Sequence, residues 1–225
     1  MCGRFTLTID PYHLQQAFPW AVIPEDLPPR YNIAPSQPVA VIPNTGDNTL
    51  SMYKWGLIPS WSKDPAIGDR MINARSESLA EKPSFRNAYR HRRCLILADG
   101  FYEWKQIPGM KSKQPVYIRL IDSVPFAFAG LWEIWKSPEG AEVRSCTIIT
   151  TQPNSLLEPI HNRMPVILPP ASYSSWLVPE DRQPAQLNDL LIPYPASEMM
   201  ASPVSRMVNI PQVDSPDLIK PVTEL

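Results

Sequence analysis

Cysteine and histidine are scarce in this chain, three of each in 225 residues, and they are spread too far apart to form a metal site. Cys2, Cys94 and Cys146, like His13, His91 and His161, make no C-x-x-C or H-x-x-x-H pair, the spacings that bring zinc ligands together. An odd number of thiols also argues against a disulfide framework. No run approaches the roughly 18 apolar residues of a membrane span, and MCGRFTLTID lacks the apolar centre of a signal peptide. The expectation is a cytosolic chain with no membrane partner, no metal and no cofactor. Net charge is −1, which by itself points to no polyanion.

Proline, by contrast, is abundant, at 28 residues. Each removes a backbone donor and fixes φ, which disfavours long helices and large regular parallel sheets. Runs rich in Val, Ile, Tyr, Phe and Trp predict strands at 38–42, 50–55, 94–97, 116–120, 126–132, 146–150 and 166–168. Asp10 is placed to cap a first helix with Pro11 at its first position. HLQQAF then supplies an apolar face before Pro19 stops it, and similar starts stand at Pro83 and Pro170. With no β-α-β alternation, internal repeat or linker, residues 1–225 read as one α+β domain. Its centre is a curved or barrel-like, mainly antiparallel sheet with a few short helices.

Charge is uneven along the chain. Twelve Lys or Arg stand against six Asp or Glu from Lys54 to Lys113, whereas residues 159–225 carry four basic and seven acidic side chains. Such an excess suits a polyanion. Cys94 in RRCLIL and Cys146 in RSCTII lie in apolar, strand-like runs and read as core. Glu133, in LWEIW, has the alternation of a glutamate on a strand surface.

Cys2 differs from the other two. Removal of Met1, which a small second residue permits, leaves an α-amine and a thiol on adjacent carbons. With ordinary pKa values of about 7.7–8.0 and about 8.5, both have a reactive fraction at neutral pH. An aldehyde meeting this pair forms a Schiff base with the amine, and the thiolate closes a five-membered thiazolidine. Serine or alanine cannot make that ring.

MCGRF opens a series of blocks, RYNIAPSQPV, YKWGLIPSW, MINARSES, RRCLILADGFYEW, FAFAGLWE, IITTQPN, EPIHNRMPVIL and SPVSRMVN, that resembles the SOS-response-associated peptidase family of abasic-site processing proteins. The blocks run from residue 2 to about residue 210. By motif, the resemblance implies Cys2 as nucleophile, Asn73 in INAR as the amide, Glu103 in GFYEW as the carboxylate and His161 in IHNRMP as the histidine. Glu103 between aromatics suits a carboxyl of raised pKa that moves protons. His161 suits a group that hands a proton to the sugar ring oxygen near neutrality. Family members often carry Asp where this chain has Asn162.

Arg4, Arg75 and Arg163 stand within two residues of Cys2, Asn73 and His161, so a sugar held there would have its phosphates near three guanidinium forks. Trp61, in IPSW, resembles the aromatic loop with which the family stacks on bases, although ordinary core burial fits it equally. The implied activity is covalent capture of abasic sites in single-stranded DNA by a monomeric chain, after self-removal of Met1. Abasic lyase activity and crosslink reversal are implied beside it. Two other classes fit parts of the pattern: a cysteine hydrolase using Cys2 and His161, and a single-strand binding module needing only the basic face.

Overall fold

The computed structural model describes residues 2–222. The chain begins with β1 (Phe5–Leu7), α1 (Pro11–Ala17), β2 (Arg30–Ile33), β3 (Pro38–Pro43), β4 (Ser51–Trp55) and β5 (Asn73–Arg75). It continues through α2 (Arg86–His91), β6 (Arg93–Ala98), β7 (Gly100–Lys105), β8 (Gln114–Leu120), β9 (Phe126–Lys136) and β10 (Glu142–Thr151). β11 (Met164–Pro165), β12 (Ile167–Leu168), α3 (Tyr173–Trp176) and β13 (Met199–Pro203) complete it, with short 3₁₀ turns between.

The predicted α+β class with a barrel-like sheet holds. β3 pairs with β4 and β6, β6 with β9, and β9 with β10. β10 then returns to β4 through parallel rungs at Ser145–Lys54 and Cys146–Trp55, so these strands close on themselves. The second sheet, in the order β13-β8-β7-β1-β2, is antiparallel throughout. The two sheets meet through aromatic rings. Phe5 lies edge-on to Trp55 and Phe128, at 5.1 and 5.7 Å between centroids, and Phe101 reaches Phe128 at 6.0 Å. Offset and edge-on contacts of this kind suit the ring quadrupole.

Asp10 caps α1 as expected, accepting from the His13 N–H at 3.0 Å, and Leu14 is the buried residue of that helix. Pro170 opens a 3₁₀ turn that runs into α3. The start at Pro83 is displaced: the Lys82 carbonyl accepts from both Phe85 and Arg86, so Pro83 opens a tight turn and α2 begins at Arg86. Cys94 and Cys146 are fully buried in β6 and β10. Glu133 departs from expectation: it is buried and receives the Arg92 Nη2 at 2.7 Å, because β9 belongs to the closed barrel and lacks a wet face there.

Part of the basic excess is also spent internally. Arg93 is fully buried, and its guanidinium donates to the carbonyls of Tyr89, Trp176, Val178 and Glu180, clamping α3 and the chain after it to the end of α2. Arg90 pairs with Asp181.

Candidate active site

β1 runs between β2 and β7, with Phe5 opposite Phe101 and Thr6 opposite Gly100. The Tyr102 N–H donates to the Arg4 carbonyl at 2.9 Å, which carries the ladder towards Cys2. Side chains alternate along β7. Tyr102 and Trp104 pack outward with Tyr117, Val204 and Val208, while Phe101 and Glu103 take the opposite face, that of Cys2.

Cys2 is fully buried, and its thiol makes a long contact of 3.9 Å to the Arg4 carbonyl. Its own carbonyl accepts from Asn73 Nδ2 at 2.7 Å. Asn73 Oδ1 is buried and has no hydrogen-bond partner among the described residues. Burial pushes the Glu103 carboxyl up to about 7, the direction its aromatic neighbours suggest, so it exchanges protons near neutrality. Burial, reinforced by the Glu103 charge, pushes the Cys2 thiol well above its ordinary range. The expectation of a thiolate fraction at neutral pH therefore does not hold for this state, in which the thiol keeps its proton. Met1, whose removal the sequence implies, lies outside the described residues.

His161 reaches the site on a turn that Asn154 builds. Asn154 Oδ1 accepts from the N–H groups of Leu156 and Leu157 at 3.1 and 3.0 Å, and buried Leu157 anchors the turn. The Leu157 carbonyl accepts from the His161 N–H at 2.8 Å. His161 Nδ1 lies 3.0 Å from the Arg163 N–H, which places the proton of the neutral ring on Nε2. The same Nδ1 is 3.2 Å from the Arg163 carbonyl, an acceptor for it once the ring is charged. Burial lowers the His161 pKa and favours the neutral ring. Asn162 is exposed, and the Arg163 backbone is one partner that orients the ring.

β10 joins these pieces. Thr150 stands opposite Arg75 of β5 and opposite Pro165 of β11, so the strand bearing Asn73 and the turn bearing His161 dock at one end of β10.

The sequence profile described as SOS response associated peptidase (SRAP) matches residues 1–211. The chain belongs to the SRAP family. It is 49% identical over 227 residues to the abasic site processing protein YoqW of Bacillus subtilis, covering 98% of this chain and 99% of that one. It is 30% identical over 236 residues to the rat abasic site processing protein HMCES, covering 88% of this chain and 66% of HMCES. A crystal structure of a Bacteroides thetaiotaomicron protein superposes with a TM-score of 0.87 at 26% identity, over 99% of this chain and 100% of that chain.

The residues read as DNA contacts occupy different settings in this SRAP chain. Arg75 is exposed, two residues beyond Asn73 on β5. Trp61 is 60% exposed, which removes the core reading. It sits in the loop joining β4 to β5, whose base is pinched where Gly56 passes Gly68. A Cβ on Gly56, already at φ +128°, would meet the Gly68 carbonyl oxygen at 2.6 Å. Trp135 Nε1 supports the loop through the Ser62 carbonyl at 2.7 Å.

Arg4 is buried, and its Nη1 donates to Asn32 Oδ1 at 2.7 Å and to the Val208 carbonyl at 2.6 Å. Its Nη1 is directed into the protein, because β1, which follows it, is an inner strand. Arg163 is held by Glu77 and Thr150. Lys113, the last residue of the loop joining β7 to β8, belongs to none of these motifs. Its charge acts on both Glu103 and His161.

Proposed function

We propose that this SRAP chain captures abasic sites in single-stranded DNA as a covalent adduct of Cys2. The observation that carries the reading is the contact of Asn73 with Cys2 beside a buried carboxyl, Glu103, that titrates near neutrality. The names of the relatives supply the substrate, abasic DNA.

The chemistry runs in four steps. Hydrolysis of the Met1–Cys2 bond by one water releases methionine and frees the Cys2 amine. His161, charged by a proton from solvent and donating from Nδ1 to the Arg163 carbonyl, gives its Nε2 proton to the ring oxygen as the hemiacetal bond of the abasic sugar opens, and the C1′ hydroxyl loses its proton to water to become the aldehyde. The amine adds to C1′ and water leaves, giving the Schiff base. The Cys2 sulfur then bonds to C1′, its proton passes to Glu103, and the adduct nitrogen takes a proton to complete the thiazolidine.

A thiol held protonated until a base takes its proton suits this order of events. It suits a cysteine hydrolase less, since that chemistry needs a ready thiolate. Loss of the C2′ proton with departure of the 3′ phosphate at the Schiff-base stage gives β-elimination, and breaking of the C1′–sulfur bond followed by hydrolysis of the Schiff base reverses the crosslink, so both activities belong to the same site.

The test is to mix the protein with single-stranded DNA carrying one abasic site, denature, and look for a shifted band. Intact mass should show a chain beginning at Cys2 that gains the DNA less one water. Binding that leaves no band after denaturation would overturn the proposal and leave a non-covalent binding module.

A further inference from the structure

Glu77 lies outside every motif role described so far. It follows β5 in the tight turn Ser76–Ser78, and its two carboxylate oxygens receive both arms of Arg163, at 2.5 and 2.9 Å. The Arg163 Nη2 also donates to the Thr150 carbonyl at 2.6 Å. The arginine side chain is 13% exposed and the glutamate 48%, so the carboxylate closes over the guanidinium from outside. Bidentate pairs of this kind fix orientation as well as proximity.

Arg163 thereby ties three segments together: the turn after the Asn73 strand, the end of β10, and the loop entering β11. Its backbone N–H is also the donor to His161 Nδ1. A side chain anchored at its tip and holding the histidine from its backbone is built as a strut. Phosphate binding by the same fork would require Glu77 to leave it.

We propose that Glu77 is a positioning residue, which through its ion pair with Arg163 fixes the His161 turn against the Asn73 strand and so aims the His161 Nε2–H at the sugar ring oxygen. The inference rests on the capture reading above. It makes Glu77 matter for opening the sugar ring and matter little for the reaction of Cys2 with an aldehyde that has no ring.

The experiment compares wild type, Glu77→Ala and Glu77→Asp in two reactions: adduct formation with a natural abasic site in single-stranded DNA, and thiazolidine formation with propanal followed by intact mass. Misplacement by about an ångström costs up to roughly a hundredfold, so Glu77→Ala should slow the DNA reaction at least tenfold while leaving the propanal rate within about twofold. Glu77→Asp, which keeps the charge and one arm of the pair, should recover part of the loss. Tighter DNA binding or faster capture by Glu77→Ala would overturn the inference, since Glu77 would then be competing with phosphate for Arg163. Equal slowing in both reactions with a lower Tm would also overturn it, leaving the pair a support for the fold. A wild-type protein that forms no adduct with DNA would instead defeat the capture reading.

Discussion

The Cys2 carbonyl and the Asn73 amide meet at 2.7 Å, and this contact joins β5 of the barrel to the chain just before β1 of the second sheet. The N–H half of the amide is committed, whereas Oδ1 is buried with no partner among the described residues. An acceptor left in that state suits the Cys2 amine or the adduct nitrogen as donor. Asn73→Asp, which sets oxygen against the Cys2 carbonyl, should therefore slow adduct formation more than Asn73→Ala. Rises of about 1–3 kcal/mol in the rate barrier are expected from single-turnover gels. Unchanged rates in both variants would reduce Asn73 to a turn former.

Glu103 gives a pH dependence with a defined sign. Its carboxyl is raised from the ordinary range to about 7, so the folded protein favours the neutral form, and the burial cost appears as pH rises from about 4.5 through 7. Glu103→Gln should stabilise the protein at pH 8 relative to wild type, by up to about 3 kcal/mol, and change little at pH 4. Wild-type adduct formation should climb through an inflection near 7 as the base ionises, and the variant should lose that inflection while still binding DNA. A variant with an unchanged profile would place Glu103 outside the chemistry.

Arg75 and Arg4 should separate in salt titrations. Arg75→Ala should weaken single-strand binding and lower the salt slope by about one, as expected for a lost phosphate contact. Arg4→Ala should leave the slope alone and lower stability by about 2–4 kcal/mol, because Asn32 Oδ1 and the Val208 carbonyl lose a buried charged donor. Trp61→Ala should cost about 1–3 kcal/mol of binding with no change in Tm if the ring stacks on a base. Arg4→Ala with normal stability and a reduced slope would restore it as a phosphate contact.

Among the cysteines, only Cys2→Ala should abolish the adduct. Cys94→Ala and Cys146→Ala should keep the adduct and lower Tm by a few degrees, since each opens a small cavity in a barrel strand. Equal loss of adduct in all three variants would point to misfolding.

Strands β3, β4, β6, β8, β9 and β10 were legible because they are runs of five or more residues rich in β-branched and aromatic types, and the two-residue β12 falls within the apolar run 166–168. The strands that build the site were not. β1, β5 and β11 span three residues or fewer, too short for any alternation to register, and they exist because β7 and β10 offer them hydrogen-bonding edges. β7 shows in the sequence only as the setting of Glu103, and β2 and β13 lie outside the runs that composition marks. Motif named Cys2, Asn73, Glu103 and His161. The direction of Arg4, the strut from Glu77 and the charge of Lys113 depend on strand order, which no local pattern encodes.

β1 owes its place to partners made much later in the chain: Phe5 finds its rung at Phe101, and Cys2 its amide at Asn73. Contacts so distant in sequence form slowly, because a long loop must close before they stabilise anything. During synthesis the Cys2 end leaves the ribosome well before Asn73 and Glu103 exist. On the capture reading, the nucleophile is therefore made early and armed late, and a nascent or partly unfolded chain would carry it without the cradle that directs it.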